Sequence, residues 1–349
     1  MHTFATRIIT WQKVHGRHSL PWQNIRDPYA IWVSEIMLQQ TQVAAVIGYY
    51  AKFMARFPTI LQLANATQDE VLQHWSGLGY YSRARNLHSA AQIIIDEHHG
   101  KFPQDFTAIQ ALPGIGRSTA AAISSFAFGK AEPIMDGNVK RVFARHFLVE
   151  GWTSQPKIEK HLWALADDLM PATNMIAYTQ GLMDLGATLC SRSKPKCMLC
   201  PLVDTCGAYA TSRVKELPTP KPRKTIPEKQ TTMLILRRGD EVMLVKRPST
   251  GIWGGLWSLP EVSDDEDFAQ VCQRRFGTET SQAKRLKTLS HAFTHFKLHI
   301  NPQPMHVLST NNQVSEPSGT IWLAIDDAVG AAIPTPIRKI LLSLKNGSA

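Results

Sequence analysis

Two carboxylates and four thiols stand out in this chain by their surroundings. Glu35 lies in Trp32-Val33-Ser34-Glu35-Ile36-Met37-Leu38, with Ile31 and Leu38 as its helical neighbours at i−4 and i+3. A carboxyl on such an apolar stripe has its charged form disfavoured, so its pKa rises and it can deliver a proton near neutral pH. A buried glutamate bonded to a neighbouring helix fits the same pattern, and the residues alone leave both readings open. Asp136 opens Asp136-Gly137-Asn138-Val139-Lys140-Arg141, just before another helical stretch. It suits a helix cap, and equally an ionised carboxylate that steadies a cationic sugar. Two carboxyls held at different pKa values are the usual equipment for cleaving a glycosidic bond.

Four of the five cysteines fall within seventeen residues, as Cys190-x6-Cys197-x2-Cys200-x5-Cys206. Structural zinc sites usually pair two separated Cys-x-x-Cys knuckles, whereas this run has a single Cys-x2-Cys flanked by wider gaps. Four thiolates in one short loop are what a cubane [4Fe–4S] cluster needs. Spacing favours the cluster and leaves zinc open. Arg192, Lys194 and Lys196 sit among the thiols and make the loop a basic surface. Cys272 stands alone in an amphipathic stretch and reads as core.

Leu112-Pro113-Gly114-Ile115-Gly116-Arg117-Ser118 separates a short helical stretch from a strongly helical one over 118–128. Two glycines without Cβ let backbone N–H groups at a helix start approach an anion closely. Such a hairpin suits one nucleic-acid phosphate without reading sequence. A tight helix–helix turn that happens to use two glycines is the plainer alternative. Pro113 before it and Arg117 after it favour the phosphate.

These residues need elements to hold them. At 349 residues the chain has room for two or three domains. Net charge is +10. It falls mostly on 1–213, with 20 basic against 15 acidic residues, and on 214–227, with 4 against 1. That excess fits a polyanionic partner. No apolar run approaches a membrane span, and the N-terminus lacks the apolar core of a secretion signal. A cytosolic location is expected, bacterial cytosol and nucleoid, where thiols stay reduced and free for metal.

Residues 27–213 read as almost all helix. Asp27-Pro28 is a start signal, and further helices are expected at 58–65, 68–75, 81–98, 107–111, 117–128, 138–147, 156–169 and 174–188. Pro218, Pro220, Pro222 and Pro227 alternate with Lys221, Arg223 and Lys224, which reads as an extended, basic, semi-rigid linker over 214–228. Beyond it the apolar period switches to two. TTMLILRR, a Gly239-Asp240 turn and EVMLVKR form a hairpin. Later strands are expected in LWSLP, FKLHI, MHVL and TIWLAI, with helices near 265–276 and 335–345. The expected architecture is multidomain: an all-α domain over 1–213, then an α+β domain over 229–349.

Glu35 in SEIMLQQTQ, the hairpin LPGIGRSTA near 107–128, Asp136 in MDGNVKRV and the cysteine loop 190–206 together resemble the helix-hairpin-helix DNA glycosylases, and within them the adenine DNA glycosylase (MutY) family. The resemblance covers nearly the whole chain. It implies a monofunctional base excision repair enzyme that flips adenine mispaired with 8-oxoguanine or guanine out of double-stranded DNA and hydrolyses its N-glycosidic bond. It implies a [4Fe–4S] cluster on Cys190, Cys197, Cys200 and Cys206, and a monomer without membrane attachment. Glu35 matches the residue that protonates adenine at N7, and Asp136 matches the stabiliser of the oxocarbenium-like sugar. Asn138 is carried over as the partner of that aspartate, and Trp22 as a wall of the base pocket. Gln40 and Tyr80 match residues that wedge into the duplex, while Gly114, Gly116 and Ser118 form the phosphate hairpin. The nearest competitor, an endonuclease III-like glycosylase for oxidised pyrimidines, also cuts the strand and needs a lysine where Ser118 stands. Serine cannot form the Schiff base. A catalytically silent damage-binding scaffold and a zinc-containing adaptor are further alternatives.

In the second domain Gly255 and Glu261 have the spacing that opens a Nudix box. Its metal-binding glutamate positions hold Gln270, Gln273 and Arg274, so no nucleotide hydrolysis is expected. The resemblance implies instead a Nudix-like sensor for 8-oxoguanine that uses Phe293-Thr294-His295.

Overall fold

The computed structural model describes residues 3–222, 225–310 and 319–345. Arg223 and Lys224 of the expected linker lie outside them. The chain resolves into two units, one of residues up to 65 with 86–222, the other of residues 66–85 with the chain after the linker. Segment 66–85 groups with the second unit although it precedes the linker in sequence.

The first unit is helical. It comprises α1 (Phe4–His15), α2 (Pro28–Leu38), α3 (Val43–Arg56), α4 (Ile60–Asn65), most of α6 (Ser82–His98), α7 (Phe106–Ala111), α8 (Arg117–Phe128), α9 (Gly137–His146), α10 (Pro156–Asp168), α11 (Met175–Thr188) and the short α12 (Gly207–Ala210), while α5 (Gln68–Trp75) belongs to the second unit. Asp27 caps α2 by accepting from the Tyr29 N–H, with Pro28 in the first turn. The burial of Ile31, Trp32, Val33, Ile36 and Met37 seats this helix deep in the unit. Helix α1 lies ahead of the helical region expected from residue 27. Its buried face, Ala5, Ile8, Trp11 and Gln12, has helical spacing. Helices α1 and α11 approach closely because Gly181 carries no side chain; a Cβ there would stand 2.7 Å from Ile8 Cγ2.

The second unit is built on an eight-stranded sheet ordered β3-β2-β1-β7-β5, with β4 on β1, β6 on β7 and β8 on β2. The strands are β1 (Glu228–Arg238), β2 (Glu241–Lys246), β3 (Trp257–Ser258), β4 (Glu261–Val262), β5 (Thr278–Gln282), β6 (Leu289–Ala292), β7 (Lys297–Thr310) and β8 (Thr320–Ala324), with helices α13 (Phe268–Phe276), α14 (Ile325–Gly330) and α15 (Thr335–Lys345). The expected β1–β2 hairpin is present, whereas LWSLP contributes only two residues of strand.

FKLHI and MHVL are not separate strands: residues 297–300 of the first and all of the second lie in β7, which runs parallel to β1 through Pro302 and Pro304. The carbonyls of those prolines accept from Leu286 and Ala283, so their missing N–H groups face the 283–286 loop and the ladder to β1 is intact. Cys272 is fully buried in the core of this unit.

Candidate active site and cysteine loop

Glu35 opens onto a cavity of about 720 Å³ in the first unit. Trp22, Ile31, Ser34, Leu38, Phe126, Met175 and Met183 form much of its wall, and Arg17, Arg26, Asn174 and Gln180 bring polar groups into it. Ile31 and Leu38 are the helical neighbours expected to flank Glu35. Trp22 is buried and packs edge-on against Tyr50 at 5.3 Å. Glu35 keeps a little surface open to the cavity but is surrounded by protein. Burial, reinforced by the negative charge of Asp136, pushes its carboxyl up to about 8.

Asp136 is not a lining residue of that cavity; its negative charge acts on the Glu35 carboxyl. It caps α9, as one of its two readings anticipated. Its Oδ1 accepts from the Asn138 and Val139 N–H groups at 2.8 Å each, and Oδ2 accepts from the Asn138 side-chain amide at 3.0 Å. Asn138 therefore touches the aspartate directly, and its own carbonyl accepts from Arg141 at 2.8 Å. Capping and chemistry do not compete, because the cap bonds fix where the carboxylate points.

The hairpin between α7 and α8 has the expected form. Gly114 has φ +80°, and a Cβ there would stand 2.9 Å from Asn86 Cβ, while Gly116 at the start of α8 faces open space. Gln39, at the end of α2, donates to the Gly114 carbonyl at 3.4 Å and to Thr119 at 3.3 Å. The Ser118 hydroxyl accepts from the Met135 N–H at 3.0 Å, so the hairpin also holds the residue before Asp136. Lys140 is engaged with Glu159 at 2.6 Å. Gln40 is exposed, with a left-handed backbone (φ +58°).

The four thiols border one small cavity with Arg145, Leu189, Val203, Tyr209 and Val214. Cys190 follows α11, Cys197 and Cys200 bracket a 3-10 turn, and Cys206 precedes α12. Burial raises the thiol pKa of Cys197, Cys200 and Cys206, with Cys200 pushed up to about 12. Among the described residues no three His, Cys, Asp or Glu side chains stand as one ion requires. Buried Arg145 donates to the Ser191 and Arg192 carbonyls at 2.8 and 3.2 Å and approaches the Cys190 sulfur at 3.4 Å. Arg192, Lys194 and Lys196 are exposed.

In the second unit, Thr294 and His295 lie at the tip of the β6–β7 hairpin, closed by the Phe293 N–H donating to the Phe296 carbonyl at 2.8 Å. They border a cavity of about 550 Å³ with Tyr80, Tyr81, Arg85, Trp253, His291 and Phe293. Tyr80 is 46% exposed with φ +49°. Glu261 of the Nudix-like pattern is held by Arg247 at 2.8 Å and by Thr231, and Arg274 pairs with Glu266 at 3.3 Å. Arginine thus stands where that box places a metal-binding carboxylate. The sequence did not point to Arg17, Arg26, Asn174 or Gln180, which come from loops and a helix far apart in the chain and fall in no motif.

Residues 33–167 match the model of the HhH-GPD superfamily of base excision DNA repair proteins, and residues 231–343 match the NUDIX domain. An adenine DNA glycosylase of Buchnera aphidicola (subspecies Acyrthosiphon pisum) is 37% identical over 344 residues, 99% of this chain and 98% of the relative. The human adenine DNA glycosylase is 31% identical, covering 97% of this chain and 73% of its own length. A thermostable thymine-DNA glycosylase superposes with TM-score 0.54 at 32% identity, over 60% of this chain and 95% of that one. An endonuclease III–DNA complex reaches 0.51 at 22% identity, over 60% and 94%, a likeness of fold alone. The near full-length relatives show the family: the chain belongs to the adenine DNA glycosylase family, adenine-specific enzymes of base excision DNA repair.

Proposed function

We propose that the enzyme hydrolyses the N-glycosidic bond of adenine mispaired with 8-oxoguanine or guanine in duplex DNA, with Glu35 as general acid and Asp136 as stabiliser of the sugar cation. The observation that carries this is the Glu35 carboxyl, held protonated to about 8 at the wall of a cavity roomy enough for a flipped base and under the charge of Asp136. Glu35 gives its proton to adenine N7 as the N9–C1′ bond breaks. The departing base takes the electron pair, and positive charge spreads over C1′ and the ring oxygen. Asp136, fixed by three N–H donors, faces that charge. Water adds to C1′ and returns a proton to the Glu35 carboxylate, leaving free adenine and an abasic deoxyribose. Asn138 holds Asp136, and Trp22 walls the base.

The reading includes no strand cleavage. Ser118 offers a hydroxyl bonded to the Met135 amide, and Lys140 is occupied by Glu159. The hairpin of Gly114, Gly116 and Ser118 grips phosphate, and Gln40 and Tyr80 wedge into the duplex at the cost of a few kcal/mol of unstacking, roughly offset by pocket contacts. Thr294 and His295, with the aromatic walls of their cavity, contact the 8-oxoguanine. Cys190, Cys197, Cys200 and Cys206 would hold a [4Fe–4S] cluster, which supplies a rigid core to the basic loop and takes no part in bond breaking. The enzyme acts as a monomer in the bacterial cytosol.

The test is base release from a panel of mismatched duplexes, with and without alkali. Adenine release opposite 8-oxoguanine and guanine is expected, with strand scission only after alkali. Glu35→Gln should lower the rate by about 10²-fold or more. Release by that variant as fast as by the parent refutes the assignment.

A further inference from the structure

The exposed Tyr80 stands on a loop that one buried arginine holds from within. Residues 76–81 join α5 to α6, and within them Tyr80 has a left-handed backbone (φ +49°). A residue with a Cβ adopts that backbone only at an energetic cost, and keeps it where its surroundings over-determine it. Arg83, buried in the first turn of α6, supplies those surroundings. Its Nη2 donates to the Gly79 carbonyl at 3.1 Å and to the Leu78 carbonyl at 3.4 Å, and its backbone N–H donates to the Tyr80 carbonyl at 2.9 Å. Three successive carbonyls of the loop therefore end on one residue. Trp75 Nε1 adds a second donor to the Gly79 carbonyl, at 3.3 Å.

The same side chain faces the tyrosine ring. Its guanidinium carbon lies 5.3 Å from the centre of the Trp75 ring and 5.6 Å from that of Tyr80. Trp75 is fully buried, so the inner ring is fixed and the outer one is the half-exposed tyrosine. Burial pulls the Arg83 guanidinium down to about 10, which leaves it charged at neutral pH and attracted to both rings. A flat guanidinium can bond carbonyls along its edge while its face meets a ring, whereas the point charge of lysine cannot do both. Rigidity matters to a side chain that enters a base stack, because a loop that orders only on binding loses part of the contact energy to that ordering.

We propose that Arg83 is a positioning residue for duplex opening: it holds Tyr80 poised before DNA arrives, so that the ring enters the base stack without rearrangement of its loop. This rests on reading Tyr80 as a wedge. The test uses a duplex in which 2-aminopurine replaces the target adenine, and follows the rise of its fluorescence as it leaves the stack. The rate is taken at saturating protein, so a partly unfolded preparation lowers the amplitude and leaves the rate unchanged. Arg83→Lys is expected to slow the rise by about fivefold or more, and Tyr80→Ala by at least as much. Because the arginine acts through the tyrosine, the double variant should be no slower than Tyr80→Ala alone. Factors that multiply in the double variant, or an unchanged rate in Arg83→Lys, overturn the proposal. Should Arg83→Lys fail to fold, Arg83→Gln carries the same comparison, since it keeps a donor for the carbonyls and lacks the charged plane. A Tyr80→Ala protein that opens the duplex as fast as the parent would defeat the wedge reading, and the proposal with it, in a result that does not involve Arg83.

Discussion

Asp136 does two jobs with one side chain: it ends the run before α9 as a cap, and it presents charge near Glu35. Asp136→Asn keeps the shape and removes the charge. Adenine release should fall by about 10²–10³-fold while duplex affinity changes little, a split that single-turnover rates and binding isotherms will show. Glu35 was legible because acid and apolar flanks sit together on one helix, and periodicity reports on neighbours three and four residues away. Arg17, Gln180 and Asp184 were not, because a loop residue and a residue of α11 meet only when the chain closes on itself. The i, i+4 spacing of Gln180 and Asp184 was visible, but nothing in it marks a pocket wall.

Helix packing decides where these groups end up. Helices α9 and α11 meet at Gly186, where a Cβ would stand 2.5 Å from Asn138 Cβ. Gly186→Ala must push apart the helix that holds Asn138 and, through it, Asp136. It should destabilise the protein by about 1–3 kcal/mol in urea unfolding, and lower the adenine release rate at temperatures where the variant is still folded. Loss of stability alone, with the rate per folded molecule unchanged, would show that α9 is not positioned through this contact. Elements with strong periodicity or caps, such as α2 and α8, were readable in advance. Strand β5, Thr-Glu-Thr-Ser-Gln, and the short β6 show no apolar alternation to read, since they are strands by virtue of pairing with β7. FKLHI and MHVL, expected as separate strands, prove to be one, because the prolines between them are compatible with the ladder of β7 to β1.

At the scale of the whole molecule, the cysteine loop is expected to act on binding and not on bond breaking. Cys200→Ser should release the iron, seen as a loss of visible absorption, and loosen the surface that carries Arg192, Lys194 and Lys196. Duplex affinity should fall, and the slope of log affinity against log salt should become shallower by about one for each phosphate the loop no longer neutralises. Unchanged affinity and slope in the iron-free variant would separate the loop from DNA binding. The change of composition near 214–228 marked the passage from helices to sheet. Grouping of 66–85 with the second unit was invisible, because α5 is an ordinary amphipathic helix whose anchors are a few polar side chains in no motif: Asp69 accepts from Lys246 and, at 3.2 Å, from Trp257 Nε1, and Gln73 donates to the Gly330 carbonyl at 3.0 Å.

The most direct measurement is the pH dependence of the second-order rate constant for adenine release, taken from parent protein across the neutral and alkaline range. Burial raises the Glu35 carboxyl to about 8, so the proton-donating form persists below that pH and is lost above it. The rate constant should fall about tenfold per pH unit on the alkaline side of about 8, a limb absent from Glu35→Gln. A parent profile that stays level well above that pH, or one whose alkaline limb survives in Glu35→Gln, would contradict Glu35 as the acid.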